Sequence, residues 1–130
     1  MRVAIVEDDD MVGDILKTML EQHGFEVSVV TNASAALQLQ ISNIHLFVCD
    51  VHLPDGMGVA LCRQLLARKP ESKLMLMSGS TAVVEVDGLT MKDGEEIPIL
   101  RKPFLLSSFL EQVFNLCGKP GSDEQNRQVS

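Results

Sequence analysis

Five short apolar runs divide this chain at regular intervals, and stretches with a helical repeat lie between them. The runs are Arg2 to Val6, Phe25 to Val30, Ile44 to Cys49, Lys73 to Met77 and Ile97 to Leu100. They are nearly continuous rather than alternating, so strands made from them are apolar on both faces. Such strands must be covered on both sides, which calls for a parallel sheet between two layers of helix. Parallel neighbours need right-handed crossovers, and five strands then fit a doubly wound open α/β sheet.

The intervening segments supply the helices. Asp10 to about Gln22 brings Met11, Val12, Ile15, Leu16, Met19 and Leu20 to one helical face, with Asp9 or Asp10 to cap its start and Gly24 to end it. Thr31 or Asn32 can cap a second helix that turns Ala33, Ala36, Leu37 and Ile41 inward. A turn-rich "LPDGMG" precedes a third helix, Val59 to about Arg68, and the last runs from about Leu106 to Cys117. Between Ser80 and Pro98 the pattern weakens. Val83, Val84 and Val86 are β-branched and Gly88 and Gly94 interrupt, so only a short or irregular helix near Ala82 to Met91 is expected. Met11, Met19, Met75 and Met77 fit core packing. The organisation is one domain over residues 1–118 with a polar tail, 119–130, that lacks periodicity.

Charge excludes some functions. The net charge of −7 disfavours direct nucleic-acid and anionic-lipid binding. No apolar run reaches the length of a membrane helix, and no basic-then-apolar leader opens the chain, so the expectation is a cytoplasmic protein without membrane insertion. Cys49, Cys62 and Cys117 are widely spaced in apolar runs and read as buried free thiols.

In an open parallel sheet, sites collect at the carboxyl ends of the strands. Here those ends are Glu7 and Asp8, then Asp50, then Ser78, then Lys102 followed by Pro103. Carboxylates about 4 Å apart repel by roughly 4 kcal/mol at an effective dielectric near 20. Acids crowded on a partly dry rim become tolerable around a hard divalent cation, and a few oxygen ligands suit Mg²⁺. Asp9 and Asp10 are better explained as a helix start, where acids are favoured electrostatically. Asp55 and Gly56 look like ordinary turn chemistry, and His23 and His45 like surface residues.

With "VEDD" at 6–9, "CDVHLPDGMG" at 49–58, "LMLMSGS" at 74–80 and "LRKPF" at 100–104, the chain resembles a response regulator receiver domain of two-component signalling over nearly all of residues 2–117. The resemblance implies a flavodoxin-like sheet of order 2-1-3-4-5. It implies that Asp50 is the phosphorylated residue, taking its phosphoryl group from a histidine kinase or phosphotransfer protein. Asp8 would bind Mg²⁺ directly, Glu7 partly through water, and the backbone carbonyl of His52 would be a further ligand. Ser78 would hydrogen-bond the phosphoryl group, Lys102 would pair with it, and the peptide before Pro103 would be cis. The domain would assist its own phosphorylation and dephosphorylation without being a classical enzyme. Its output partner is unnamed by the residues, and a homodimer through the last helices is one assembly the resemblance allows. No DNA-binding segment is read after Cys117, so a stand-alone receiver or one cut from a longer regulator is expected.

The sequence departs from the family pattern at Ile99, where an aromatic residue usually stands three positions before the lysine. Together with the weak fourth helix, this departs from the aromatic switch usual in the family. Two other readings compete. A flavodoxin-like flavin carrier shares the architecture, but "EDDD" would repel a bare phosphate. A degenerate receiver serving only as an interaction module would not need all five rim residues.

Overall fold

The computed structural model describes residues 1–79 and 89–120. In chain order the elements are β1 (Arg2–Val6), α1 (Asp10–Gln22), β2 (Glu26–Val30), α2 (Ala33–Leu37), a 3₁₀ turn (Ile41–Asn43), β3 (Leu46–Asp50), β4 (His52–Leu53), β5 (Gly56–Met57), α3 (Gly58–Arg68), β6 (Lys73–Ser78), β7 (Ile99–Arg101) and α4 (Leu106–Cys117). Five strands form one parallel sheet in the order β2-β1-β3-β6-β7. With the small β4–β5 hairpin set aside, this is the expected 2-1-3-4-5.

Alternate residues of the central strands feed two separate cores. Ala4, Val6, Phe47, Cys49, Leu74 and Leu76 pack with Ala36 of α2 and Leu61, Cys62 and Leu65 of α3. Val3, Ile5, Leu46, Val48, Met75 and Met77 pack with Leu16 and Leu20 of α1 and Phe109 and Val113 of α4. This two-sided burial explains the continuous apolar runs: no strand residue in the middle of the sheet faces water. Each large side chain so buried contributes about 1.5–3 kcal/mol of hydrophobic stabilisation.

Local chemistry fixes the helix ends. Asp9 caps α1, its side chain accepting from the amides of Met11 and Val12. Gly24 takes a left-handed φ of 91° just beyond the helix, a conformation that costs a residue with a Cβ. Asn32, not Thr31, caps α2.

Several expectations need correction. The second helix stops at Leu37, and Ile41 lies in the separate 3₁₀ turn although it is buried. The last sheet strand begins at Ile99 rather than Ile97. Pro98 has no N–H to give a ladder, and it contributes only its carbonyl, which accepts from Leu76. Met11 is 72% exposed, not core, and Ile15 is also exposed. Of the apolar stripe of α1, Leu16 and Leu20 are buried in the core and Val12 and Met19 are partly buried beside them. Cys49 and Cys62 are buried, whereas Cys117 is only half-buried. Residues 82–88 of the expected fourth helix and the tail from 121 onward lie outside the described residues. Residues 89–91 are not helical: Thr90 forms an antiparallel bridge with Glu96, and Met91 N–H donates to Glu95.

Candidate functional site

The register of the sheet brings the strand ends together. Val6 of β1 pairs with Cys49 of β3, so Glu7 and Asp50 leave the sheet side by side. Asp50 pairs with Met77, placing Ser78 one step further on the next strand, and Ser78 pairs with Arg101, the residue before Lys102. Glu7, Asp50 and Ser78 are all buried polar residues, at 1%, 7% and 0% exposure. Asp8 is exposed at the mouth.

Lys102 is the hub of the group. Its Nζ donates to Glu7 Oε2 at 2.8 Å and to Asp50 Oδ2 at 2.9 Å. Its backbone amide donates to the carbonyl of Ser78 at 2.7 Å. The Lys102–Pro103 peptide is cis, as the family resemblance implied. The remaining carboxylate oxygens are held by amides: Glu7 Oε1 accepts from Asp9 N–H at 3.2 Å and Asp50 Oδ1 from His52 N–H at 3.1 Å. Burial pushes the Glu7 carboxyl above its ordinary range, against the pull of the Lys102 ammonium. Burial alone would lower the Lys102 ammonium, but its hydrogen bonds to Glu7 and Asp50 raise it instead.

Oxygens of Glu7, Asp8 and Asp50 lie within 4.8 Å of one another. Glu7 and Asp50 share one ammonium and Asp8 adds a third carboxylate, so the group carries an excess of negative charge in a place where two of the acids are screened from water. The donors are all hard oxygens, and one edge opens to solvent through Asp8. This donor set fits a hard divalent cation.

Two further residues shape the site: Asp55, expected as a turn residue, and Gly58, which had no expected role. Asp55 is not simply a turn residue: it accepts hydrogen bonds from the amides of Ala33 and Ser34 at 2.8 and 2.9 Å, which hold its carboxyl below the usual range. Gly58 opens α3 against the backbone of the acidic strand end. A Cβ there would lie 2.1 Å from the carbonyl oxygen of Asp50, so the helix can approach only through glycine. A glycine as the first residue of a helix was the available signal, but nothing local said what it faced. His52 is exposed beside the pocket, and His23 and His45 are at the surface as expected. Asp9 serves as the cap of α1, and Asp10 begins that helix as an exposed residue.

Among the described residues no helix is long and apolar enough to cross a membrane. The chain is 28% identical over 123 residues to the sensory transduction protein RegX3 of Mycobacterium tuberculosis, covering 94% of this chain and 53% of that protein. It thus spans about half the length of the curated relatives it matches. Among solved structures it resembles a CheY-like receiver domain protein from Methanospirillum hungatei, with a TM-score of 0.75 and 28% identity over 98% of this chain and 97% of that one. The non-phosphorylated HemR receiver domain of Leptospira biflexa gives the same TM-score at 26% identity, covering 88% and 92%. A family model for the response regulator receiver domain matches residues 3–114, and with the sheet order and the acidic rim just described, the chain belongs to that family, the receiver modules of two-component signalling.

Proposed function

We propose that Asp50 is the phosphoacceptor of this domain and that Glu7, Asp8, Asp50 and the backbone carbonyl of His52 hold Mg²⁺ beside it. The observation that carries this reading is the pair of hydrogen bonds that Lys102 Nζ donates to Glu7 and Asp50, 95 and 52 residues away in sequence. A bound Mg²⁺ would neutralise charge on the phosphoryl oxygens. The chain's own groups do the rest. An oxygen of Asp50 attacks phosphorus, the Asp50 O–P bond forms, and the N–P bond of a phosphohistidine donor breaks as its imidazole leaves. Lys102 is placed to follow the charge from the carboxylate to the new phosphoryl group. The hydroxyl of Ser78 is assigned to a phosphoryl oxygen. The Gly79 amide can approach another, because no side chain stands in its way.

The donor is a histidine kinase or phosphotransfer protein, which places the domain in the cytoplasm, and the output partner is left open. The complete set of Glu7, Asp8, Asp50 and Lys102 supports this reading over a phosphorylation-independent interaction module, which has no use for it. Acetyl phosphate with Mg²⁺ should label the wild type, and Asp50→Ala should abolish the label. Labelling that persists in Asp50→Ala, or that survives chelation of Mg²⁺, would refute the assignment.

A further inference from the structure

The carboxylate of Asp55 reaches across the fold. Its two oxygens take the amides of Ala33 and Ser34, the first two residues of α2, at 2.8 and 2.9 Å and 22 and 21 positions away in sequence. The third amide, of Ala35, goes to the side chain of Asn32 at 2.7 Å. α2 has only five residues, and a helix that short is unstable without outside support. Two of its first three amides therefore depend on a residue that belongs to the loop after Asp50.

The acidic pocket holds that loop from the other end. Asp50 Oδ1 accepts from His52 N–H at 3.1 Å. His52 and Leu53 pair with Met57 and Gly56 to form the β4–β5 hairpin, and Asp55 lies at its turn. Gly58 N–H closes the base on the carbonyl of Val51 at 2.7 Å. A continuous path of hydrogen bonds thus runs from the Asp50 carboxylate, through the hairpin, to the first turn of α2. Any ligand or covalent group that claims Asp50 Oδ1 competes with the His52 bond at the head of this path. The path avoids β7, where Ile99 stands in place of the expected aromatic residue.

We infer that Asp55 is a positioning residue that ties the folding of α2 to the state of the acidic pocket. The inference rests on the reading of Asp50 given above and adds a route by which occupancy of the pocket is felt elsewhere. A ligand shifts such an equilibrium only by its differential interaction with the two states, and competition for Oδ1 supplies that difference.

Amide hydrogen exchange at residues 33–37 of the full chain tests it. In the wild type, Mg²⁺ with beryllofluoride should speed α2 exchange by about fivefold, because it competes for the Asp50 oxygen that holds His52 N–H. Asp55→Ala should speed α2 exchange by about fivefold without ligand, the usual effect of losing a cap. It should also remove the response to beryllofluoride while the fluorine signal shows the ligand still bound. Asp55→Asn, which keeps one carbonyl acceptor, should fall between. Asn32→Ala removes a cap from the same helix turn but not the link to the loop. It should speed exchange yet keep the response, which a merely structural role for Asp55 would not distinguish.

Asp50→Ala without any ligand should speed α2 exchange severalfold by freeing His52 N–H. A ligand response that survives in Asp55→Ala, or α2 exchange indifferent to Asp50→Ala, overturns the inference. Failure of beryllofluoride to bind the wild type would instead sink the phosphoacceptor reading, and the ligand-free Asp50→Ala comparison would still decide the coupling.

Discussion

Replacing Gly58 with Ala should damage this protein in a way that helix propensity predicts with the wrong sign. Gly58 is the first residue of α3, and Gly→Ala in a helix ordinarily gains up to about 1 kcal/mol. Here the added Cβ would lie 2.1 Å from the Asp50 carbonyl oxygen, 3.0 Å from its carbon and 3.1 Å from Val51 Cα. Carbon–oxygen contacts settle near 3.3 Å or more, so something must move by roughly 1 Å. The obstacle is backbone, not the end of a flexible side chain. It is tied on one side by Gly58 N–H to Val51 O at 2.7 Å and on the other by Val51 N–H to Met77 O at 2.8 Å. Overpacking of this kind costs about 1–3 kcal/mol, and leaving one buried backbone group unpaired adds about 1–3 kcal/mol.

A net loss of about 1–5 kcal/mol is therefore expected in urea unfolding, with Asp50 displaced and labelling by acetyl phosphate reduced. Gly79→Ala is the control. The nearest atom to its added Cβ is Lys102 Cδ at 3.9 Å, and its stability should stay within about 0.5 kcal/mol of the wild type. If Gly58→Ala unfolds at the wild-type urea midpoint and labels at the wild-type rate, the close approach of α3 to Asp50 is not a constraint and the argument fails.

Further outcomes follow from the same pocket and its surroundings. Lys102→Met leaves Glu7 and Asp50 without their ammonium. It should cost about 1–3 kcal/mol in EDTA, discounted for the partial exposure of Lys102, and Mg²⁺ should recover more of this loss than it adds to the wild type. Equal Mg²⁺ effects on both proteins would show that the acids do not share a cation. Glu7 holds its proton more tightly folded than unfolded, its ordinary value being 4.5. Its contribution to stability is therefore fully present below that value and is lost as pH rises through the folded one. Urea titrations of the metal-free protein across that window should show this loss, and Glu7→Gln should flatten it. Met91→Leu removes the thioether that accepts from Leu74 N–H at 3.4 Å. The cost should be about 1–2 kcal/mol with faster exchange at the Leu74 amide, since an unpaired buried donor outweighs a near-isosteric swap. Unchanged exchange at Leu74 would mean that the amide finds another acceptor.

The alternation of apolar runs and amphipathic segments determined the layered parallel sheet by itself, because strands covered on both faces have few other arrangements. The motifs at the strand ends marked Glu7, Asp8, Asp50, Ser78 and Lys102 for the same reason: parallel strands all deliver their C-terminal residues to one rim. Local cues also narrowed the caps to Asp9 or Asp10 and to Thr31 or Asn32, since a cap and its amides lie within three residues, and the structure chose Asp9 and Asn32. What the tertiary structure alone decided is nonlocal. Lys102 bridges two acids, Asp55 holds a helix that starts 22 residues before it, Gly58 meets a carbonyl eight residues earlier, and Pro98 trims the last strand. Met11 could look like core on its helical face and still face solvent. Periodicity says which residues share a face, but how far the neighbouring element extends to cover that face is a property of the packed molecule.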